Sequence, residues 1–284
     1  RNVMLPILNN VLLKTQSGVL ELVSTNLEIG IKTTVRCKVE EVGSITAPAK
    51  LLNDYVALLP NENLELASKG LNLELKTKDH SSKLKGLPAD DFPLVPALDE
   101  KEMVQILVGD LKKAIISTLF ASSQDTTRPE INGLFLKKDQ NQLSFVATDS
   151  FRLSEFTLSS SSGPASFSFI IPARTMFEVS RVLGYYDDTE MVQMGFDETQ
   201  VLFQVGETQV LSRLIEGKYP EYKQIIPERF GSELSIKNSD LIQAIKLNSL
   251  FSKGGVNDVV VEITNAGMKI SSNNQQVGEN IVTI

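Results

Sequence analysis

Few residues of this chain have the types and spacing that catalysis or metal binding requires. Cys37 and His80 are the only cysteine and histidine among 284 residues, so no intrachain disulfide can form and a zinc site lacks ligands. Asp90 and Asp91 form an acidic pair in a proline-bounded loop, but turn formation explains them better than metal binding does. No glycine-rich phosphate loop occurs, and no histidine stands near a serine or cysteine nucleophile motif. The sequence therefore predicts a protein that is not an enzyme and uses no metal or cofactor.

The surroundings of these residues indicate structural roles. Cys37 is expected to be a small residue packed in a strand, and His80, within the polar stretch 77–82, is expected in a solvated turn. A single cysteine fits a reducing cytoplasm. The start Arg1-Asn2-Val3 has no apolar run behind it, which argues against a signal peptide. No apolar stretch approaches a membrane span, so we expect a cytoplasmic protein without a membrane partner.

The charge balance limits how the protein could bind nucleic acid. It has 28 basic and 35 acidic residues and a net charge of -7, which argues against a protein that grips nucleic acid over its whole surface. A local basic patch remains compatible with this composition. The hydrophobic content of 42% allows two or three domains, each with its own core.

The elements that must position any site are repeated along the chain. Each of three similar segments has two alternating apolar stretches around a polar turn, which predicts a β-hairpin with one buried face. The segments recur about every 125 residues, at 10–26, 132–149 and 257–273.

Helical elements recur at matching offsets. Ala47-Pro48-Ala49-Lys50 is similar to Ile171-Pro172-Ala173-Arg174, and a proline in the first turn predicts a helix start. The predicted apolar faces comprise Leu51, Tyr55 and Leu58/Leu59 in the first helix and Met176, Val179 and Val182/Leu183 in the second. Two further helices are predicted to begin near Asp110 and Asp240, since aspartate favours helix N-termini. A fourth repeated element, 82–93 against 212–220, closes the first two copies.

Together these elements predict an α+β fold of three repeated modules, with helices on one face of antiparallel sheets. The predicted modules are 1–98, 99–228 and 229–284. Each full module has the order helix, hairpin, strand, helix and further strands. Only the middle copy is complete: the first lacks its leading helix and the third its C-terminal half. We therefore expect the natural protein to extend beyond both ends of this sequence.

Five motifs in order resemble the beta subunit of the bacterial replicative polymerase, the sliding clamp family: Leu5-Pro6-Ile7-Leu8, the segment Leu87–Pro93, Asn132-Gly133, the segment Ala147–Leu153 and the segment Glu216–Tyr222. The resemblance implies a head-to-tail homodimer whose six modules form a ring. Helices would line the hole and sheets would form the outer wall. Such a ring slides on double-stranded DNA without reading its sequence, and serves as a processivity factor in DNA replication.

The resemblance also implies a mildly basic lining carried by the helices. The expected DNA-facing residues are Lys50, Lys112, Lys113, Arg174 and Arg181. Lys246 is a further basic residue on a predicted helix. Arg1 resembles a family arginine that reaches DNA from the loop ahead of Leu5-Pro6, although it stands one residue further upstream. Without the repeat, these cations would be ordinary solvated charges on exposed helix faces.

A second implied site is an apolar pocket on the outer face between the middle and last modules. In the family it captures short linear peptides of the replicative polymerase, the clamp loader and repair proteins. The matching residues are Arg128, Thr148, Ser150, Phe151, Arg152, Leu153, Pro220 and Ile225. Ser150-Phe151 replaces a Gly-His pair frequent in the family, which adds a ring to the rim and implies a changed peptide preference. Without the resemblance, Thr148-Asp149 is typical of a strand end entering a turn.

Two other function classes compete with a clamp. A metal-dependent enzyme would need a site that the acidic pair Asp90-Asp91 does not convincingly provide. A repeat-built protein-interaction scaffold that does not act on DNA is compatible with the number of modules. Retention on closed circular DNA distinguishes the clamp from the scaffold.

Overall fold

The computed structural model describes residues 5–96, 98, 103–252, 258–264 and 267–284. The chain divides into two compact units, Arg1–Pro220 and Glu221–Ile284. Both units are α+β, with antiparallel strand pairing throughout their described sheets.

The first unit contains two successive runs of elements. The first run is β1 (Asn10–Gln16), β2 (Val19–Thr25), β3 (Ile29–Arg36), β4 (Ser44–Pro48), α1 (Ala49–Leu58), β5 (Glu65–Lys69), β6 (Asn72–Lys76) and β7 (Ser81–Lys85). The second run is β8 (Met103–Leu107), α2 (Val108–Thr118), β9 (Gly133–Asp139), β10 (Gln142–Thr148), β11 (Leu153–Ser159), β12 (Ser166–Pro172), α3 (Ala173–Leu183), β13 (Met191–Phe196), β14 (Gln200–Val205) and β15 (Thr208–Arg213).

The second unit begins with the 3-10 turn Tyr222–Ile225 and continues with α4 (Asn238–Ser249), β16 (Val260–Thr264), β17 (Gly267–Asn274) and β18 (Gly278–Thr283). The three strands form a sheet in chain order. Its small core joins Ala244 of α4 to Met268 and Ile270 of β17.

The predicted hairpins are confirmed. β1 pairs with β2, β9 with β10 and β16 with β17, all antiparallel. The first hairpin closes in two residues, and Gly18 there has a φ of 77°, a backbone conformation that glycine adopts at little cost. The predicted third segment begins at Asn257, which lies outside the described residues.

One sheet joins the two runs of the first unit. Its eight strands have the order β4-β1-β2-β3-β15-β14-β13-β8, so β3 of the first run pairs with β15 of the second. A four-stranded sheet, β11-β10-β9-β12, and a three-stranded sheet, β5-β6-β7, complete the unit. The element order differs from the prediction in two respects, because β8 precedes the first helix of the second run and two strands, not one, separate its hairpin from α3.

The largest core lies between α2, α3 and the strands beneath them. Leu111 and Ile115 of α2, and Met176, Val179 and Leu183 of α3, are almost completely buried in it. The spacing of the α3 residues confirms the predicted face of that helix. Pro48 and Pro172 stand one residue before their helices, as the last residues of β4 and β12.

The predicted face of α1 is partly wrong. Leu52 and Tyr55 are the residues that pack on the core of the first run, whereas Leu51 and Leu58 are exposed, the latter to 87%. Leu59 follows the end of the helix and is half-buried. The inward stripe is therefore displaced by about one residue from the predicted one.

The interpretation of Cys37 as a packed strand residue is also wrong. β3 ends at Arg36, and Cys37 is an exposed residue of the following loop. Its backbone N–H donates to the Gly18 carbonyl at 3.0 Å, but its side chain has left the sheet. His80 lies exposed in the turn between β6 and β7, as predicted.

Candidate functional site

The loop between β10 and β11 carries most of the residues predicted to bind a partner peptide. β10 ends at Thr148 and β11 begins at Leu153, which confirms a strand end entering a turn. The buried Thr148 hydroxyl donates to the Arg152 carbonyl at 2.7 Å. The same oxygen accepts the Ser150 N–H at 3.1 Å. One threonine thus closes the loop from inside.

The Asp149 carboxylate closes the loop from the other side. Its Oδ1 accepts the backbone N–H groups of Phe151 at 3.0 Å and Arg152 at 2.9 Å, and its Oδ2 accepts the Arg152 Nε at 3.0 Å. The N–H of Arg152, followed by that of Phe151, holds the pKa of Asp149 below its usual range. Asp149 therefore stays ionised, and keeps accepting these hydrogen bonds, to a lower pH than an unperturbed aspartate would.

Arg128 reaches this loop from a separate segment. It precedes the 3-10 turn Pro129–Ile131, and its Nη1 donates to the Ser150 hydroxyl at 2.9 Å. Its Nε pairs with Glu130 at 3.3 Å. Ser150 has a φ of 77°, a left-handed conformation that is uncommon for a residue with a side chain.

The loop presents apolar surface beside its charges. The Phe151 side chain is 98% exposed, and the half-buried Leu153 begins the next strand. The Arg152 guanidinium lies 5.4 Å from the ring centre of Phe120, within the range of a cation–π contact. Phe120 itself is exposed. Aromatic and arginine side chains of this kind dominate binding in many interfaces.

A buried tyrosine supports the loop. The Tyr219 ring stacks on Phe135 with a centroid distance of 4.6 Å and an angle of 6°. Burial raises the pKa of the Tyr219 phenol above its usual range, while a smaller effect of the Thr148 backbone opposes this shift. Pro220 follows Tyr219 and is exposed. Ile225 belongs to the second unit, where it is exposed at the end of the 3-10 turn.

The structure thus brings together six of the predicted pocket residues, in the loop and on the segment that reaches it. These are Arg128, Thr148, Ser150, Phe151, Arg152 and Leu153. Sequence reasoning did not single out Phe120 and Tyr219. Phe120 stands two residues after the end of α2, and Tyr219 lies in the segment Glu216–Tyr222. No local pattern predicts that the Phe120 ring meets Arg152 or that the Tyr219 ring stacks on Phe135.

The predicted DNA-facing residues differ in whether their charged groups already form ion pairs with acidic side chains. Lys50 and Arg174 occupy the same position in the first turns of α1 and α3, and both are exposed. Lys113 is exposed on α2, where its Nζ lies 4.0 Å from the Asp110 carboxylate. Arg181 pairs with Glu178 at 3.0 Å. Arg1 lies outside the described residues.

Lys112 has a structural partner. Its Nζ donates to the Asp188 carboxylate at 2.8 Å and to the Tyr186 carbonyl at 3.1 Å. Hydrogen bonding to Lys112, and then its charge, lower the pKa of Asp188. The contact ties α2 to the segment after α3, so the Lys112 ammonium already has an acidic partner.

The acidic pair Asp90-Asp91 lies in the 3-10 turn Ala89–Asp91. Among the residues that the structure describes, no group of three or more His, Cys, Asp or Glu side chains is arranged to hold a metal ion. Within that same part of the chain, no helix has both the length and the apolar character needed to cross a membrane.

Comparison with known sequences identifies the two runs of the first unit. A profile of the DNA polymerase III beta subunit, N-terminal domain, matches residues 1–96, and one of its central domain matches residues 105–221. The beta sliding clamp of Synechococcus elongatus is 33% identical over 246 residues, covering 85% of this chain and 66% of that protein. The clamp of Staphylococcus epidermidis is 31% identical over 284 residues, covering 96% of this chain and 75% of that protein.

Solved structures show the same fold. The DNA polymerase sliding clamp from Bacillus subtilis has a TM-score of 0.93 and 28% identity, covering 100% of this chain and 77% of that one. A sliding clamp from Pseudomonas aeruginosa bound to griselimycin has a TM-score of 0.91 and 27% identity, with coverage of 100% and 77%. This chain spans about two thirds to three quarters of the length of the relatives it matches. The chain belongs to the family of the DNA polymerase III beta subunit, the sliding clamps that serve as processivity factors of bacterial DNA replication.

Proposed function

We propose that this chain, within its full-length protein, forms a ring-shaped homodimer that encircles duplex DNA and slides along it. The observation that carries the proposal is the pairing of β3 with β15, because it joins two similar runs of elements through one continuous sheet. Repeating one such head-to-tail joint generates a closed ring when its rotation closes. The clamp acts without catalysing a reaction, and its work on chromosomal DNA places it in the cytoplasm.

The proposed ring has three modules in each subunit, with bounds at 1–98, 99–228 and 229–284. The repeated elements support this division: β1-β2-β3 corresponds to β16-β17-β18, and β5-β6-β7 after α1 corresponds to β13-β14-β15 after α3. By this correspondence, β18 is the equivalent of β3, and β7 is the equivalent of β15. Pairing of β18 with β7 of a second copy would repeat the β3–β15 joint and close the dimer.

The DNA would lie against the exposed helix faces. Lys50, Lys113 and Arg174 are the cations best able to approach phosphates, and Arg181 would have to exchange Glu178 for a phosphate. Phosphate contacts of this kind carry no sequence information. A protein of net charge -7 with a modest number of exposed cations would bind DNA weakly enough to slide along it. The closed ring, rather than binding affinity, would keep the protein on the DNA.

Partners would bind at the loop between β10 and β11. Leu153 and Pro220 would provide apolar walls for a leucine or phenylalanine of a linear peptide, while the exposed guanidinium of Arg152 would hold its backbone. We propose that the replicative polymerase, the clamp loader and repair proteins use such peptides here. The apolar exposure of Phe151 in a loop fixed by hydrogen bonds supports a binding role.

Retention on DNA tests the ring. The full-length protein is loaded by a clamp loader onto nicked circular DNA, separated by gel filtration and then treated with an enzyme that linearises the circle. We expect the protein to stay on the circle and to leave the linear form. Equal retention on both forms would support a scaffold that does not encircle DNA and would overturn the proposal.

Substitution of Leu153 tests the partner site separately. Since burial of a leucine contributes about 1.5–3 kcal/mol, Leu153→Asp should weaken binding of a polymerase-derived clamp peptide about tenfold or more. Leu153→Ala should give a smaller loss in the same direction. Leu94→Asp, at an exposed leucine outside the loop, should leave peptide affinity unchanged. Unaltered affinity in a folded, dimeric Leu153→Asp protein would refute the site.

A further inference from the structure

The loop 149–152 is fixed by more contacts than a four-residue connection needs. Its own groups already form four hydrogen bonds to the Thr148 hydroxyl and the Asp149 carboxylate. These bonds define the turn, and a strand connection of this length would close with them alone. The contact from Arg128 adds a restraint from outside the loop.

The external restraint falls on the residue of the loop that has a positive φ. Ser150 has a φ of 77°, a conformation that disfavours residues with a Cβ. Its backbone N–H is satisfied by Thr148, so its hydroxyl is not needed to close the turn. That hydroxyl accepts the Nη1 hydrogen bond of Arg128. A glycine at this position could take the same backbone conformation with less strain, but it could not form this contact.

Arg128 comes from a segment that is itself well held. Asp125 accepts the N–H and hydroxyl of Thr127 at 2.9 and 2.7 Å, and the Asn132 amide donates to the Ser123 carbonyl at 2.9 Å. The Glu130 carboxylate pairs with the Arg128 Nε and so orients the Arg128 guanidinium. Arg128 therefore connects two ordered segments that are 22 residues apart.

The residue next to this contact is Phe151, whose ring is 98% exposed. An aromatic side chain on an ordered backbone binds an apolar partner with less loss of conformational entropy than one on a mobile loop. We propose that Arg128 is a positioning residue: its bond to Ser150 holds the loop so that Phe151 forms a preset apolar wall for the side chain of a partner peptide. This inference rests on the proposed peptide-binding function of the same loop.

The competing account is that Arg128 contacts the peptide directly. The two accounts differ in coupling, since a residue that acts through Ser150 has no effect once the Ser150 hydroxyl is gone. The variants are Arg128→Ala, Ser150→Ala and the double substitution, with Arg213→Ala as a control at an exposed arginine outside the loop. The probe is a fluorescein-labelled clamp-binding peptide of the replicative polymerase, measured by anisotropy.

We expect each single substitution to weaken peptide affinity about threefold to tenfold, as loss of one hydrogen bond does. The double variant should be no weaker than either single one. Arg128→Lys, which keeps a donor, should recover part of the loss in the wild-type background but none in the Ser150→Ala background. If Arg128→Ala weakens binding equally in both backgrounds, Arg128 contacts the peptide itself and the proposal is wrong.

Amide hydrogen exchange of the segment 148–153, followed by mass spectrometry in the free protein, gives a readout that needs no peptide. Arg128→Ala and Ser150→Ala should both accelerate exchange there, whereas Arg213→Ala should not. Unchanged exchange would overturn the positioning role. Absence of peptide binding by the wild-type protein, with exchange accelerated in the variants, would instead overturn the partner site on which the inference rests.

Discussion

Tyr219 links the end of β10, where the loop 149–152 begins, to the neighbouring strand β9. It stacks on Phe135 of β9 and reaches the backbone of Thr148 at the end of β10. Burial raises the pKa of its phenol above the usual range. In the unfolded chain the same phenol has the ordinary tyrosine pKa of about 10. Unfolding therefore releases a proton above that pH, and the free energy of unfolding must fall as pH rises.

We predict that one ionisation is missing from the alkaline titration of tyrosinate absorbance in Tyr219→Phe. The missing ionisation is the one that occurs at the highest pH in the wild type. The stacked ring is retained in this variant, but the phenol is absent. Its free energy of unfolding, measured by urea titration between pH 8 and pH 11, should also fall less steeply than that of the wild type. Tyr185→Phe, at an exposed tyrosine, serves as the control. Identical alkaline titrations of Tyr219→Phe and Tyr185→Phe would contradict the burial of Tyr219.

For single residues, the sequence predicts hydrogen bonds to near neighbours better than contacts between distant segments. The turn after Thr148 follows from Asp149, whose side chain bonds the N–H groups two and three residues further along. The bond between Arg128 and Ser150 spans 22 residues and depends on where two loops meet, so no local pattern predicts it. Cys37 shows a similar limit of prediction. β3 ends at Arg36, one residue too early for Cys37 to pack within the strand, so Cys37 is exposed.

Among the elements, α1 and α3 begin with the same motif but bury different residues. α3 is covered by α2 on one side and by strands on the other, so Thr175, Met176 and Val179 are all buried. The residues of α1 equivalent to Thr175 and Met176 are Leu51, which is exposed, and Leu52, which is half-buried. Periodicity therefore predicts that a helix forms, whereas the neighbouring elements decide how wide its buried stripe is.

The two adjacent lysines of α2 give a prediction about DNA. Lys112 is occupied by Asp188 and the Tyr186 carbonyl, whereas Lys113 is 71% exposed in its side chain. Each lysine that neutralises a phosphate contributes about 0.9 to the slope of log affinity against log salt concentration. Lys113→Met should reduce that slope by up to about this amount, and Lys112→Met should leave it unchanged.

The measurement is anisotropy of a labelled duplex with the full-length protein over a series of salt concentrations. Lys112→Met should also lower the free energy of unfolding, because it removes the ion pair with Asp188 and the hydrogen bond to the Tyr186 carbonyl. A salt slope reduced equally by both substitutions would mean that Lys112 exchanges Asp188 for a phosphate.

For the whole molecule, the proposed dimer depends on the open edge of β7. No strand pairs with this edge among the described residues. The Gly86 N–H donates to the Leu71 carbonyl and the Thr77 N–H to the His80 carbonyl. Hydrogen-bonded pairs alternate along an antiparallel ladder, so the backbone groups of Ser82 point toward β6 and those of Lys83 point away from it.

This alternation predicts opposite effects of proline at neighbouring positions. Lys83→Pro removes an N–H that faces the open edge, which an edge strand tolerates, so the full-length protein should fold but dimerise about threefold to tenfold more weakly, as loss of one hydrogen bond implies. Ser82→Pro removes a bond to β6 and should lower the melting temperature. Lys83→Ala, which loses only the ion pair with Glu74, should dimerise normally. Sedimentation equilibrium over a dilution series measures the dimer, and an unchanged dissociation constant for Lys83→Pro would place the subunit joint elsewhere than on β7.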